Sequence, residues 1–338
     1  MAEAANKYIL SRTLDIWVTG LASIVFISII LILNPTVGNL ATFGDVLTFT
    51  TIINGAHFMA SYRMLYYSKE YALRYPNASI YMPLVLFSYC IAAVILGARE
   101  PMLVSGLLVL SSLYLALHYT GQTWGMMSSL AFIDGVRFNE FQKKYFRLSL
   151  KCLMIWQVLW SLRILDPKPQ WLSDAIQVLD FLPYILVGVA AVFGLSATYS
   201  LYKSMNTFKM RMLVPYIAIY FWYALLSVNY LALPLIQFFH ALQYLIFPVR
   251  VELNRGQGLE KSPRKHMTEY VLVMLGTAAL AFVFIPYYFK NFNPENAGAI
   301  QVFIAAINIH HFYIDGYIWK ISQPLVKDEL FAHLKPKA

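Results

Sequence analysis

The sequence predicts an all-α fold, a polytopic transmembrane helical bundle, and three features of its composition and patterning lead to this class. Of the 338 residues, 59% are hydrophobic and only 13% are charged, and the mean hydropathy is +0.58. A soluble globular domain carries about 25% charged residues. The other two features are a series of long apolar segments and an alternating distribution of basic residues.

Ten apolar segments approach the roughly 20 residues that a helix needs to cross a bilayer. They run from Leu14 to Leu33, Val46 to Tyr66, Ile80 to Ala98, Pro101 to Met126, Leu148 to Leu165, Phe181 to Leu201, Met212 to Tyr230, Pro234 to Val249, Tyr270 to Phe289 and Ala299 to Trp319. The stretch from Arg211 to Arg250 is too long for one span, and we divide it at Pro234 because proline interrupts a helix. The connecting loops are short, so residues 1–338 are predicted to form a single integral membrane domain.

The basic residues test this partition, because cytoplasmic loops of membrane proteins are enriched in Lys and Arg. With ten spans, 22 of the 26 Lys and Arg residues lie at the two termini and in the even-numbered loops. The distribution predicts about ten spans with both termini on the cytoplasmic side, and we expect the location to be a bacterial inner membrane. It also accounts for the net charge of +9 without a nucleic-acid partner. Membrane lipids are the expected contacts of the basic surface.

Five of the seven histidines lie within even-numbered segments, which all run from the outer to the inner face. These are His57 in the second segment, His118 in the fourth, His240 in the eighth, and His310 and His311 in the tenth. Counting back from the inner charged ends places three of them roughly 9 to 15 Å from the inner edge. Ionisable residues at such depth are costly and usually face the interior of the bundle at a functional site.

Further polar residues share helix faces with these histidines. Asn308, His311 and Asp315 lie on one face of the tenth segment, whereas His310 points about 100° away. Asp315 is therefore expected either to be a further ligand or to orient His311. Gln122 lies four residues after His118, and we expect it to orient that ring.

These side chains predict a transition-metal site with all five histidines as ligands. Imidazole is the commonest side-chain metal ligand, and a carboxylate or amide typically orients its second nitrogen. Histidine and carboxylate donors without sulfur favour iron, zinc, copper or manganese. The only two cysteines, Cys90 and Cys152, lie in separate apolar segments and provide no sulfur-rich site.

The histidines do not follow the HxxxH and HxxHH boxes of membrane di-iron desaturases and hydroxylases. One or two of them lie instead in each of four segments, NGAHFMASYRMLY, LHYTGQTWGMM, FFHALQYL and HHFYIDGYIWK. In this general arrangement of dispersed intramembrane histidines, the chain is similar to membrane carotenoid-cleaving oxygenases. The favoured hypothesis is a membrane oxidoreductase or oxygenase in which non-haem iron acts on a lipid-soluble small molecule.

Three alternatives keep the same membrane architecture. The histidines could bind haem b in a membrane cytochrome, or they could serve, with Asp315, in a transporter of protons or metal ions. The chain could also be a structural partner in a larger complex. His266 lies in a basic loop and His333 in the C-terminal tail, where we expect contact with solvent or lipid headgroups.

Overall fold

The computed structural model describes residues 7–33, 44–96, 101–164, 170–260, 262–292, 297–320 and 328–334, and these ranges form a helical bundle without a strand. Its long helices are α1 Arg12–Leu33, α2 Gly44–Leu65, α3 Asn77–Leu96, α4 Pro101–Ile133, α5 Glu140–Ile164, α6 Leu182–Lys203, α7 Met210–Val228, α8 Tyr230–Gly256, α9 Pro263–Asn291 and α10 Ala297–Ile318. Three shorter elements are Lys69–Arg74, Gln170–Val178 and the 3-10 turn Ala332–Leu334.

Seven of the long helices in the described ranges are long and apolar enough to cross a membrane, namely α1, α3, α4, α6, α7, α8 and α9. This confirms a membrane-type helical bundle. Helices α2 and α10 are less apolar because they carry the histidines together with several amide and hydroxyl side chains. Helix α5 begins with a charged turn that includes Glu140, Lys143 and Lys144. Within the described residues, each of the ten predicted segments nevertheless coincides with a long helix, and positions 97–98 and 165, at the ends of two segments, lie outside those residues.

Four helices extend well beyond the apolar segments that predicted them, and one of them is α9, which begins at Pro263 rather than Tyr270. Helix α4 continues past Met126 to Ile133, α5 begins at Glu140 rather than Leu148, and α8 continues past Val249 to Gly256. The physical reason is that apolar length measures the bilayer core, whereas backbone hydrogen bonding continues into polar sequence on either side of it.

Three helices contain a turn of π-helix, at Trp17–Leu21 in α1, Asn77–Tyr81 in α3 and Leu280–Phe284 in α9. Such turns insert one residue into an α-helix and often lie near functional sites. The turn in α9 carries Phe282, whose ring packs against Phe58 of α2 with centroids 5.5 Å apart. This contact supports the part of α2 that carries His57.

Four helices surround the centre of the bundle. Helix α10 packs against α2, α3 and α4, and α2 also packs against α8 and α9. Helix α7 packs against α1 and α4, whereas α5 and α6 form a pair at one side. The helices that carry the five intramembrane histidines, α2, α4, α8 and α10, therefore meet in the interior.

A buried ion network closes one end of the bundle around Glu252 of α8. Its carboxylate accepts hydrogen bonds from Arg63 Nη2 at 3.1 Å, from Arg255 Nη1 at 2.9 Å and from His266 Nε2 at 2.8 Å. The expectation that His266 contacts solvent or headgroups is wrong, because this residue is buried against Glu252. A buried carboxylate needs such partners, and sequence position in a basic loop did not reveal them.

The first and last described residues lie together on the same face of the bundle. His333 Nε2 lies 2.9 Å from the carbonyl oxygen of Tyr8. Arg250 of α8 donates to the carbonyl of Ile9, and Arg211 of α7 donates to the carbonyl of Lys7 at 3.3 Å. The half-buried His333 thus connects the first and the last described segments of the chain.

Helix α6 fits against α7 only because position 194 is glycine. A Cβ at Gly194 would lie 1.9 Å from Tyr216 Oη, a hydroxyl that is hydrogen-bonded to Ser149 Oγ at 2.5 Å.

We expect Gly194→Ala to destabilise the fold by about 1 to 3 kcal/mol, because overpacking displaces the hydrogen-bonded side chain of Tyr216. Thermal unfolding in detergent measures this change. The matched control is Gly188→Ala on the same helix, where an added Cβ meets no atom within 4 Å; equal melting temperatures for the two variants would contradict this account of the α6–α7 contact.

Candidate metal centre

The structure brings four of the five predicted histidines together in the interior. The ring centroids of His57 and His311 are 4.5 Å apart, and those of His118 and His240 are 4.8 Å apart. Across these pairs, His118 lies 5.0 Å from His311, and His57 lies 5.1 Å from His240. All four residues are buried. Four helices thus contribute one imidazole each to a single cluster, which we call the histidine cluster.

Several ring nitrogens of the cluster have no hydrogen-bond partner among the described residues. His57 Nδ1 donates to the carbonyl oxygen of Asn54 at 2.6 Å, which leaves its Nε2 as a free lone pair facing the cluster. Both nitrogens of His311 and Nδ1 of His240 are also without a partner. Buried polar atoms are normally paired, so this group of unpaired nitrogens could bind a ligand that accepts nitrogen lone pairs.

The spacing of the nitrogens suits a metal ion. His57, His118 and His311 each offer a nitrogen, and these three atoms lie within 4.8 Å of one another. His240 Nε2 lies 3.0 Å from His118 Nε2. Two imidazole nitrogens that share one metal at about 2.1 Å are about 3 to 3.4 Å apart. The triad could therefore hold a metal, and His240 lies close enough to provide a fourth nitrogen.

Asp315 adds a carboxylate oxygen to the cluster. Its Oδ2 lies 3.4 Å from His311 Nε2 and 3.8 Å from His118 Nε2, and it has no hydrogen-bond donor among the described residues. Its Oδ1 accepts hydrogen bonds from Ser61 Oγ at 2.8 Å and from Tyr244 Oη at 3.0 Å. One oxygen is thus held by the protein while the other is left for a ligand.

Tyr244 and Trp319 hold this carboxylate through a chain of two hydrogen bonds. Trp319 Nε1 donates to Tyr244 Oη at 2.7 Å, so the tyrosine hydroxyl is fixed from two sides. The sequence-based analysis did not identify Trp319 as part of the site. Its spacing of four residues from Asp315 was the available signal, but aromatic residues are so frequent in this chain that the spacing alone is not informative.

Gln122 does not orient the ring of His118, although the sequence predicted this role. Its Nε2 donates to the carbonyl oxygen of His240 at 3.2 Å, and its Oε1 has no partner among the described residues. The amide therefore connects α4 to the backbone of α8 and does not orient the ring of His118.

His310 is not part of the histidine cluster. Its Nδ1 lies 2.9 Å from Tyr62 Oη, and its Nε2 lies 2.7 Å from the carbonyl oxygen of Ala78. Both nitrogens are hydrogen-bonded, so the ring has no lone pair available for the predicted metal. The helical rotation between adjacent residues directs His310 toward α2 and α3, where it connects α10 to its neighbours.

Two cavities meet the histidine cluster from opposite ends. The first, here called the apolar cavity, has a volume of about 350 Å³ and follows the histidines along α4, α8 and α10. His118 and Asp315 form part of its wall. The second, here called the polar cavity, has a volume of about 250 Å³ and precedes the histidines along α2, α4, α8 and α10. His57 and His240 line this second cavity, and Phe312 borders both.

The sequence matches no protein-family model, and neither the curated proteins nor the solved structures gave a match. The chemistry of the site must therefore be inferred from the residues themselves. Three or four imidazoles and one carboxylate oxygen around a common point are the donor set of a first-row transition metal without sulfur ligands.

Replacement of adjacent histidines distinguishes ligands from structural residues. We expect His311→Ala to lower metal affinity by more than the roughly 10- to 100-fold loss that follows removal of a group that merely orients a ligand. The matched control, His310→Ala, removes only hydrogen bonds to Tyr62 and Ala78. Metal content after dialysis, measured by elemental analysis of folded protein, should fall for the first variant and stay at the wild-type level for the second. Equal retention of metal by both variants would show that His311 is not a ligand.

Proposed function

We propose that this chain is an integral membrane oxidoreductase that uses a non-haem metal, most consistently iron, to oxidise a lipid-soluble molecule within the bilayer. The observation that carries the proposal is the group of unpaired imidazole nitrogens beside the free Oδ2 of Asp315. This group of atoms lies at the end of the apolar cavity, so a metal bound there would face a space suited to an apolar substrate.

The donor set supports iron over the other metals of its class. Histidines with one carboxylate are typical of non-haem iron(II) sites that activate dioxygen, whereas structural zinc sites are usually rich in cysteine. Zinc, copper and manganese share these donors and are distinguished by elemental analysis. A haem is disfavoured because His118 Nε2 and His240 Nε2 lie only 3.0 Å apart, with Phe312 stacked on His118. No slot for a flat macrocycle separates these rings.

The apolar cavity supports a lipid-soluble substrate. Gly121 and Gly125 of α4 and Gly316 of α10 form part of its wall, and a Cβ added to any of them would meet no atom within 4 Å. Leu117 at the rim is 52% exposed, and Gly121 and Gly316 are exposed as well. The cavity therefore opens between α4 and α10 on the side of the bundle, where hydrocarbon chains of lipids would lie.

The residues of the chain have separate tasks in this proposal. A bound iron would supply the activation of dioxygen. His57, His118, His240 and His311 hold the metal, while Ser61 and Tyr244 fix the orientation of Asp315 through its Oδ1. Phe312 stacks on His118 and separates the apolar cavity from the polar cavity. Tyr244 Oη donates to Asp315 Oδ1 at 3.0 Å and is placed to share a proton with it.

The finer topology belongs to the same proposal, with ten spans and both termini on the cytoplasmic side of a bacterial inner membrane. Residues 7–9 and His333 lie on one face of the bundle. Only an even number of crossings returns the chain to its starting side, and ten long helices satisfy this condition where seven would not. The excess of Lys and Arg on the same side supports the cytoplasmic assignment.

Metal content, absorption spectrum and dioxygen uptake test the proposed function together. Protein purified in detergent should contain iron, show no Soret band, and consume dioxygen when a total lipid extract of the expression host is added. His118→Ala should abolish metal binding and dioxygen uptake, because its ring contacts His240 and faces both His311 and Asp315. A Soret band would identify a cytochrome instead, and metal-loaded protein that consumes no dioxygen would contradict the oxidoreductase assignment.

Filling the apolar cavity should separate substrate binding from metal binding. We expect Gly121→Leu to lower lipid-dependent dioxygen uptake at least about 10-fold, because the added side chain occupies space that the substrate needs. Bound metal should remain at the wild-type level, since Gly121 contacts no ligand. Gly121→Ala is the matched control, because its smaller side chain occupies little of the cavity. Unchanged uptake in Gly121→Leu would place the substrate elsewhere.

A second candidate function is a transporter of metal ions or protons, and one observation favours it. The polar and apolar cavities approach the histidine cluster from opposite ends, as two halves of a pathway would. Transport of a metal ion into sealed vesicles containing the purified protein, without dioxygen uptake, would support this candidate over the oxidoreductase.

A further inference from the structure

The polar cavity has no role in the binding of an apolar substrate, yet it is built from many polar side chains. Those that line it include Asn54 of α2, Ser111 of α4, Gln237 of α8, and Gln301 and Asn308 of α10. Each of them precedes the cluster histidine of its own helix. The polar cavity therefore lies on the opposite side of the histidine cluster from the apolar cavity.

These five side chains have no hydrogen-bond partner in the described part of the protein. Amide and hydroxyl groups inside a membrane bundle normally bond to a neighbouring helix, because an unpaired polar group in hydrocarbon is costly. Gln301 is exposed and the other four side chains are half-buried, so their polar groups border a space of about 250 Å³ that suits a polar occupant. The lining contains no Asp, Glu, Lys or Arg, so the occupant is bound through neutral oxygen and nitrogen atoms.

The polar cavity is in direct contact with the histidine cluster. His57 and His240 form part of its wall, and His57 Nε2 is one of the unpaired nitrogens. Asn308 lies three residues before His311, so its side chain is on the same helix face as that ligand. An occupant of the polar cavity thus passes from amide oxygens to imidazole nitrogens without crossing the apolar cavity.

We propose that the polar cavity is the passage by which a hydrated divalent metal ion reaches the histidine cluster. This inference rests on the metal centre of the proposed function. Amide and hydroxyl oxygens replace part of the hydration shell of a cation, and neutral groups hold it weakly enough to release it to stronger ligands. Carboxylates in the same positions would retain the ion before it reached the histidines. The wall of the apolar cavity, in contrast, includes Lys320, whose positive charge repels a divalent cation.

The rate of metal uptake tests this inference. The full-length protein, stripped of metal with a chelator and kept in detergent, is mixed with cobalt(II), whose visible absorption reports binding to histidine nitrogens. We expect Asn308→Leu to slow uptake at least 10-fold and leave the final amount of bound cobalt unchanged. Gln237→Met, which preserves side-chain length, is a second variant for the same cavity, because Asn308→Leu changes the packing of α10. Gly121→Leu is the matched control in the apolar cavity and should take up cobalt at the wild-type rate.

The possible results separate the passage from the metal centre. Wild-type rates in both Asn308→Leu and Gln237→Met, or slow uptake only in Gly121→Leu, would overturn the passage and leave the proposed function standing. Failure of the wild-type protein to bind cobalt or iron would overturn the metal centre, and the passage with it. Slow uptake in the two polar-cavity variants, with full binding at equilibrium, would establish the passage.

Discussion

Every polar group placed inside a bilayer must find a partner within the protein, and this constraint organises the whole bundle. Ser149, Tyr216 and Tyr220 satisfy one another between α5 and α7, and Gln157 accepts from the hydroxyl of Tyr223. Buried atoms without a partner among the described residues also occur elsewhere, as at Gln157 Nε2 and Tyr270 Oη, but five of them belong to the histidine cluster and Asp315. The same rule that stabilises the fold is therefore the one on which the proposed metal site depends.

The positions of the helices were predictable from the sequence because apolar length is a direct physical requirement of the membrane. Their ends were less predictable, since α5 begins with a charged turn and α8 ends with one whose Glu252 and Arg255 pair with residues distant in the sequence. Glu252 and His266 illustrate the limit. Their buried contact joins α8 to α9 across a loop, and no local pattern in either segment contains this information.

The convergence of the four histidines followed from their shared depth and helix direction, but depth does not fix rotation about the helix axis. His310 and His311 have the same depth, and only the packing of α10 against α2, α3 and α4 decides which ring faces the cluster. The role of Gln122 was also beyond sequence reasoning, because its amide reaches a backbone carbonyl on another helix. The two cavities depend on how the surrounding helices pack, and this packing cannot be read from a single sequence.

The lateral opening between α4 and α10 has a consequence for how such a protein would experience its substrate. A molecule that enters through this gap never passes through bulk water, so the bilayer itself is the solvent and the reservoir. Saturation would then depend on the mole fraction of the molecule among the lipids, and diluting the membrane with inert phospholipid would weaken apparent affinity at a constant total amount of the molecule. For this chain, the composition of the surrounding lipid is effectively a kinetic variable.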